Sequence, residues 1–208
     1  MDSANLRLSQ EEMDLISRTD WILTKNRLIQ KIQDYLGQLC EVQKNAWSKS
    51  RRVLPAEVVK NPSKISRGEN YQGLPWLMLD YPRYFTTNDQ LAIRTFFWWG
   101  DSISVILHTQ GIYKQQWAPL IMQHKNKLAA ANWLLCTGED PWAHHYHPDN
   151  YKPLASISQT QLKEIADSHS FLKIAWRLPF PEAAENRSLL EEAYIMLVNL
   201  WETGPTDH

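Results

Sequence analysis

Cysteine, glycine, long apolar runs and an excess of either charge are all scarce in this chain. Its 208 residues hold two cysteines, Cys40 and Cys136. That is too few for a disulfide framework, the spacing matches no metal-ligand pattern, and a reducing compartment, read as the cytoplasm, is expected. Seven glycines are about half of average usage, which excludes collagen-like and linker-rich chains. No stretch approaches the roughly 18 apolar residues of a membrane span. The opening residues, MDSANLRLSQEE, are polar and acidic, unlike a secretory signal. Twenty-two basic against 23 acidic residues give a net charge of −1, with no electrostatic footprint for nucleic acid or an anionic membrane. The P-loop, the glycine-rich dinucleotide turn and the G-x-S-x-G elbow are missing as well, so no familiar spacing names an enzyme class or a cofactor.

Aromatic rings are abundant. Ten Trp, eight Tyr and five Phe beside so few glycines indicate an ordered domain with a large core. The stretch around which the rest is organised spans residues 91–109, LAIRTFFWWGDSISVILHT. Two runs of β-branched and aromatic residues flank Gly100-Asp101, and a two-residue connection opening on Gly suits a type II′ hairpin turn. That turn predicts pairs Trp98–Ile103, Phe96–Val105, Arg94–Leu107 and Ala92–Thr109 on one, mostly apolar, face. The opposite, mixed face carries Trp99–Ser102, Phe97–Ser104, Thr95–Ile106 and Ile93–His108. Arg94 on the apolar face needs a carboxylate, and Asp80 or Glu69 is the expected partner in a structural ion pair.

Around the hairpin, the remaining elements follow from periodicity and caps. Ser9 and Glu12 have capping-box spacing for a short helix to about Arg18. From Asp20 to about Trp47, Leu28, Ile32, Tyr35, Leu39, Val42 and Ala46 mark one face of a longer helix, widened by Ile29, Leu36 and Cys40. Homodimerisation through that helix remains open. Residues 48–63 form a connector in which Lys49, Arg51 and Arg52 read as a solvated helix end. Leu74 to Tyr81 reads as an internal strand ended by Pro82, with residues 65–68 as its partner and residues 70–73 as the turn. A helix from Tyr113 to about Ala131 must accommodate Pro119. Residues 132–136 form a short buried strand. Ser158 and Gln161 cap a helix to about Ser168. Phe171 to Leu178 alternates Leu172, Ile174, Trp176 and Leu178 against Lys173, Ala175 and Arg177, a strand with one wet face. Glu182 to about Trp201 is the last helix, ended by Gly204-Pro205.

This order predicts an α+β fold: one largely antiparallel sheet of about five or six strands, with a mixed sheet as the alternative, packed against N-terminal, middle and C-terminal helices. The chain is expected to form one domain, with the helical segment 9–47 packing on a 64–208 core.

Two polar regions could hold a site. Arg67, Glu69, Asn70, Tyr71, Asp80, Tyr81 and Arg83 flank the strand at residues 74–81, and Arg94 and His108 of the hairpin complete a candidate ligand-binding set. PWAHHYHPDNY, residues 141–151, offers His144, His145 and His147, with Asp149, as the chain's cluster of metal-type ligands, although its spacing fits no zinc signature. Two functions of different class follow. One is a non-catalytic binding or assembly domain that uses the aromatic outer face of the hairpin, with a second copy or a small molecule as partner. The other is an enzyme with a polar pocket near Glu69, Asp80 and Arg94, metal-assisted through the histidine loop.

Overall fold

A computed structural model describes residues 6–180, 182 and 186–205. The chain divides into two compact units, Met1–Tyr35 and Leu36–His208. The first holds helix α1 (Gln10–Ser17) and the opening half of α2 (Asp20–Ser48). Ser9 caps α1 by the expected box: its hydroxyl accepts from the Glu12 amide while the Glu12 carboxylate accepts from the Ser9 amide.

The second unit is α+β, built on one antiparallel sheet of seven strands: β1 (Lys64–Tyr71), β2 (Leu74–Phe85), β3 (Gln90–Trp98), β4 (Ser102–Gln110), β5 (Leu134–Cys136), β6 (Tyr151–Pro153) and β7 (Phe171–Pro179). The spatial order is β1-β2-β3-β4-β7-β5-β6. The extra strand beyond those expected is β6, three residues long and hidden in a stretch that reads as loop. Around the sheet lie α3 (Ala56–Val59), α4 (Ile112–Gln123), α5 (Lys125–Ala130), α6 (Gln159–Ser168) and α7 (Arg187–Glu202). The helix expected over residues 113–131 is thus two, broken at His124, whose backbone leaves helical geometry (φ −101°, ψ 14°). The predicted start of α7 falls partly on residues 183–185, outside the described residues. Ser158 and Gln161 form the expected capping box of α6.

The hairpin register differs from the expected one by a single residue. The connection has three residues, Trp99-Gly100-Asp101, and Trp98 pairs with Ser102, Phe96 with Ser104, Arg94 with Ile106 and Ala92 with His108. Gly100 supplies the positive φ of +74° at the middle of this turn, but the turn is one residue longer than a type II′ pair. Because side chains alternate with period two, the added residue moves the whole of β4 to the other face. One face of the sheet then carries Ile93, Thr95 and Phe97 beside Ile103, Val105 and Leu107, and the other carries Arg94, Phe96 and Trp98 beside Ser102, Ser104 and His108.

The apolar face is covered by helices. Tyr113 of α4 meets Tyr84 edge-on, Gln43 of α2 donates to Thr95 at 3.0 Å, and Trp117 of α4 stacks on Trp201 of α7 with ring centroids 5.2 Å apart. The Tyr194 hydroxyl on α7 accepts from the Trp47 indole at 2.8 Å and donates to the Tyr81 carbonyl at 2.7 Å. The buried stripe of α2 within this unit runs through Leu36, Leu39, Cys40, Gln43 and Trp47, while Val42, expected in it, is exposed. Arg52 is likewise buried and not solvated: its guanidinium lies 3.6 Å above the Trp201 ring and donates to the Trp201 carbonyl. Stacking on a large ring lets an arginine be buried while it keeps a hydrogen bond.

Two further expectations fail at the strands. β2 does not stop at Pro82 but runs on to Phe85 through a bulge, where Tyr81 and Pro82 together oppose Ile93. A bulge is a position where proline's missing N–H costs the ladder nothing. β7 has no wet face in its first half. It lies between β4 and β5, and Lys173 and Ala175 are fully buried.

A candidate site beneath the 137–150 loop

The polar half of the sheet's second face is covered by residues 137–150, a segment without helix. The bulge in β2 resets the alternation, so Arg83 and Phe85 share this face with Asp80. β3 contributes Arg94, β4 contributes His108, and β7 contributes Phe171, Lys173 and Arg177 at matching register positions. A layer of ionisable side chains is therefore assembled by four neighbouring strands, each on rigid, paired backbone.

Asp80 accepts from Arg94 Nε at 2.8 Å, and both are buried. This is the expected ion pair. The Arg94 guanidinium also approaches His144 Nε2 at 3.4 Å and lies 5.4 Å from the Phe85 ring and 5.6 Å from the Trp142 ring. His108 sits among Phe85, Trp142 and Phe171, with ring centroids 6.4, 5.4 and 6.0 Å away. It is fully buried, and both of its ring nitrogens lack a hydrogen-bond partner among the described residues. His144 Nδ1 is in the same condition. Burial, then the charges of Arg94 and Lys173, push the pKa values of both histidines well below the ordinary range, so both are neutral near pH 7.

Lys173 donates to the Pro141 carbonyl at 2.9 Å and the Ala143 carbonyl at 2.6 Å. Burial lowers its pKa to about 8; Cys136 and Asp140 pull it up, and Arg94 adds to the fall. From the opposite side, the Tyr71 hydroxyl accepts from the His144 and His145 amides at 2.6 and 3.0 Å. Asn150 closes the loop on itself: its amide side chain donates to the Ala143 and His145 carbonyls, and its carbonyl accepts from Thr137. Buried backbone groups in an irregular segment need partners, and here sheet-borne side chains supply them. Trp142, 48% exposed, is the part of this cover that meets solvent above Arg94 and His108.

The structure thus brings together Tyr71, Asp80, Arg94, His108, His144 and His145 out of the residues nominated from sequence. Arg83 stands beside them with its guanidinium 5.9 Å from the Phe85 ring. Arg67 and Glu69 lie exposed on β1, and Asn70 is spent in the turn, where its side chain accepts from the Gly73 amide. Tyr81 sits in the bulge. His147 and Asp149 lie on the outside of the loop. Sequence reasoning did not nominate Lys173, Trp142 or Asn150. The only signal for Lys173 was a lone lysine between Leu172 and Ile174, which reads equally as a wet strand face.

Phe97 and Trp99 do not share a face with Ser102, Ser104 and His108, as the two-residue turn required. Phe97 is buried against Trp99 and Phe180, with ring centroids 6.3 and 5.4 Å away. The larger aromatic cluster lies on the site's own face, where Phe96, Trp98, Tyr151 and Phe171 are joined by Tyr71, Trp76 and Tyr146. No described helix is long and apolar enough to cross a membrane. Comparison with protein-family models, curated proteins and solved structures finds no match to this chain.

Proposed function

We propose that this protein is a non-catalytic binding domain that takes a small organic anion, a carboxylate or phosphate ester, against the polar face beneath Trp142. The observation that carries this reading is His108: a fully buried imidazole inside an aromatic box, whose two nitrogens have no partner among the described residues. An unpaired buried polar group is costly, of the order of 1–3 kcal/mol, and such a group is retained where something hydrogen-bonds to it. Charge sets the ligand class. The cations acting on His108 are Arg94 and Lys173, because a lysine with a pKa of about 8 is mostly protonated at pH 7, and Asp80 is the carboxylate paired to Arg94. Convergent polar groups on an aromatic-lined surface are the usual form of a small-ligand site. The two free, buried cysteines fit a reducing, cytoplasmic setting.

Tryptophan fluorescence during titration with small carboxylates and phosphate esters tests this, with His108→Leu as the comparison. The expected result is saturable quenching or enhancement in the natural protein, weakened at least about tenfold by the substitution, as loss of a buried hydrogen-bonding group predicts. No saturable response to any member of the set, or equal affinity in His108→Leu, overturns the reading. The enzyme alternative has its own supporting observation, two neutral imidazoles beside Arg94, and it requires turnover of the bound anion where the binding reading requires its recovery unchanged.

A further inference from the structure

On the outer side of the same loop, His145, His147 and Asp149 each point a ligating atom into one small volume, and all these atoms lie within 4.8 Å of one another. We propose that these three side chains bind a divalent transition-metal ion of the zinc type. The inference goes beyond the binding function proposed above, because it uses none of the residues around His108 and stands if that function fails.

Two imidazoles and one carboxylate are a donor set suited to zinc and its neighbours, and three protein ligands leave a position for water or a further group. The geometry is close to that required. His145 Nε2 is 3.5 Å from Asp149 Oδ2, and the His145 and His147 rings are 5.0 Å apart. Donors bound to one tetrahedral zinc at bonds of about 2.0 Å lie about 3.3 Å from each other, so small rotations complete the set. The residues that must rotate, His147 and Asp149, are exposed, whereas His145 is largely buried.

The backbone beneath them is already fixed. The His147 carbonyl accepts from the Asn150 and Tyr151 amides at 2.9 and 3.0 Å, Asn150 holds the His145 carbonyl at 2.7 Å, and Tyr71 holds the His145 amide at 3.0 Å. His145 Nε2 is turned towards Asp149, and its Nδ1 lies 3.4 Å from the Tyr71 hydroxyl. His144 is no part of the set: its Nε2 faces Arg94. A bound ion would join residues 145, 147 and 149, tightening the cover over the polar face.

The test is calorimetric titration of chelator-treated, full-length protein with zinc chloride, with thermal melting alongside. The proposal expects one ion per chain and a melting temperature that rises with zinc concentration, as binding to the native state alone requires. His147→Ala and Asp149→Asn, both at exposed positions, should each weaken binding at least about tenfold, while His124→Ala, outside the loop, should leave it unchanged. Equal zinc affinity in the natural protein and both loop variants would mean adventitious binding only, and it would overturn the site, as would the absence of saturable binding.

Discussion

The two faces of one sheet are treated in opposite ways here. On the helix-covered face, where α4 packs on β3 and β4 and α7 on β4, Ile93, Val105, Leu107 and Ile174 are fully buried, and the hydroxyl of Thr109 finds the Leu172 carbonyl at 3.0 Å. On the loop-covered face, the same strands at adjacent positions hold His108 and Lys173 at equal depth and Arg94 buried slightly nearer the surface. Helices satisfy their own backbone and present only side chains, so an apolar partner face suits them. An irregular loop brings unsatisfied carbonyls and amides, and the charged and phenolic groups of Lys173 and Tyr71 are what allow it to be buried. Part of the polarity of this face is therefore explained by its cover; His108, which supports neither loop nor strand, is left over, together with His144 Nδ1 and the Tyr151 hydroxyl.

The contrast is broken most forcefully from the apolar side. Trp117→Ala should destabilise the protein by about 4 kcal/mol, the usual cost of emptying a large buried aromatic site, measured by urea denaturation at neutral pH. A loss under about 1 kcal/mol would mean that the helix layer collapses into the gap and is less tightly packed than its stacking on Trp201 implies.

On the polar side the outcome depends on whether one partner or both are removed. Arg94→Met alone leaves the Asp80 carboxylate buried without its guanidinium and should cost about 3 kcal/mol. The double variant Asp80→Leu with Arg94→Met should recover most of that loss, because well-packed apolar replacements of a buried pair are often neutral. If the double variant is as unstable as the single one, the pair's role is to hold His144 and the loop, not merely to neutralise itself.

Why only some of this was legible follows from where each signal resides. Caps are local, and Ser9-Glu12 and Ser158-Gln161 carry their helices in four residues. Strand identity was equally local, since β-branched and aromatic runs mark β2, β3, β4 and β7 without knowledge of their neighbours. Face assignment was not, because it hangs on turn length. One extra residue at Trp99-Gly100-Asp101 turned His108 from the partner of Ile93 into the partner of Ala92. The bulge at Tyr81-Pro82 did the same for Phe85. The burial of Lys173 was hidden for a third reason. An alternating strand reads as half-wet unless it is known to lie inside a sheet with its second face covered, and that cover, residues 137–150, reads as an exposed loop. The Asp80–Arg94 pair could be anticipated because a buried guanidinium demands a carboxylate, and few were near in sequence.

Acidity separates the two faces with the smallest effect per step and the clearest sign. His108 and His144 are neutral in the folded chain, their pKa values depressed chiefly by burial, and unfolding returns them to about 6.5. Below that pH the unfolded chain binds more protons, so stability falls as pH falls, by about 1.4 kcal/mol per pH unit for each histidine. Lys173 acts at the other end. Its folded pKa of about 8 lies below the roughly 10.4 of an unfolded lysine. Between those values the unfolded chain again holds the extra proton, and stability should rise with pH. Urea denaturation across that range should therefore show a plateau near neutrality, an acid-side fall and a short alkaline rise. The rise ends at about pH 8.5, where an unfolded thiol ionises and Cys136, its pKa raised by burial, does not. Near pH 10 stability falls, because unfolded tyrosines ionise and buried Tyr151 and Tyr194 do not. His108→Phe should halve the acid-side slope and Lys173→Met should abolish the alkaline rise. Trp117→Ala should shift the whole curve down without changing its shape, since the side chain it removes does not titrate. A Trp117→Ala curve with altered slopes would mean that the two faces are not independent, and that loosening the helix layer lets water reach the ionisable one.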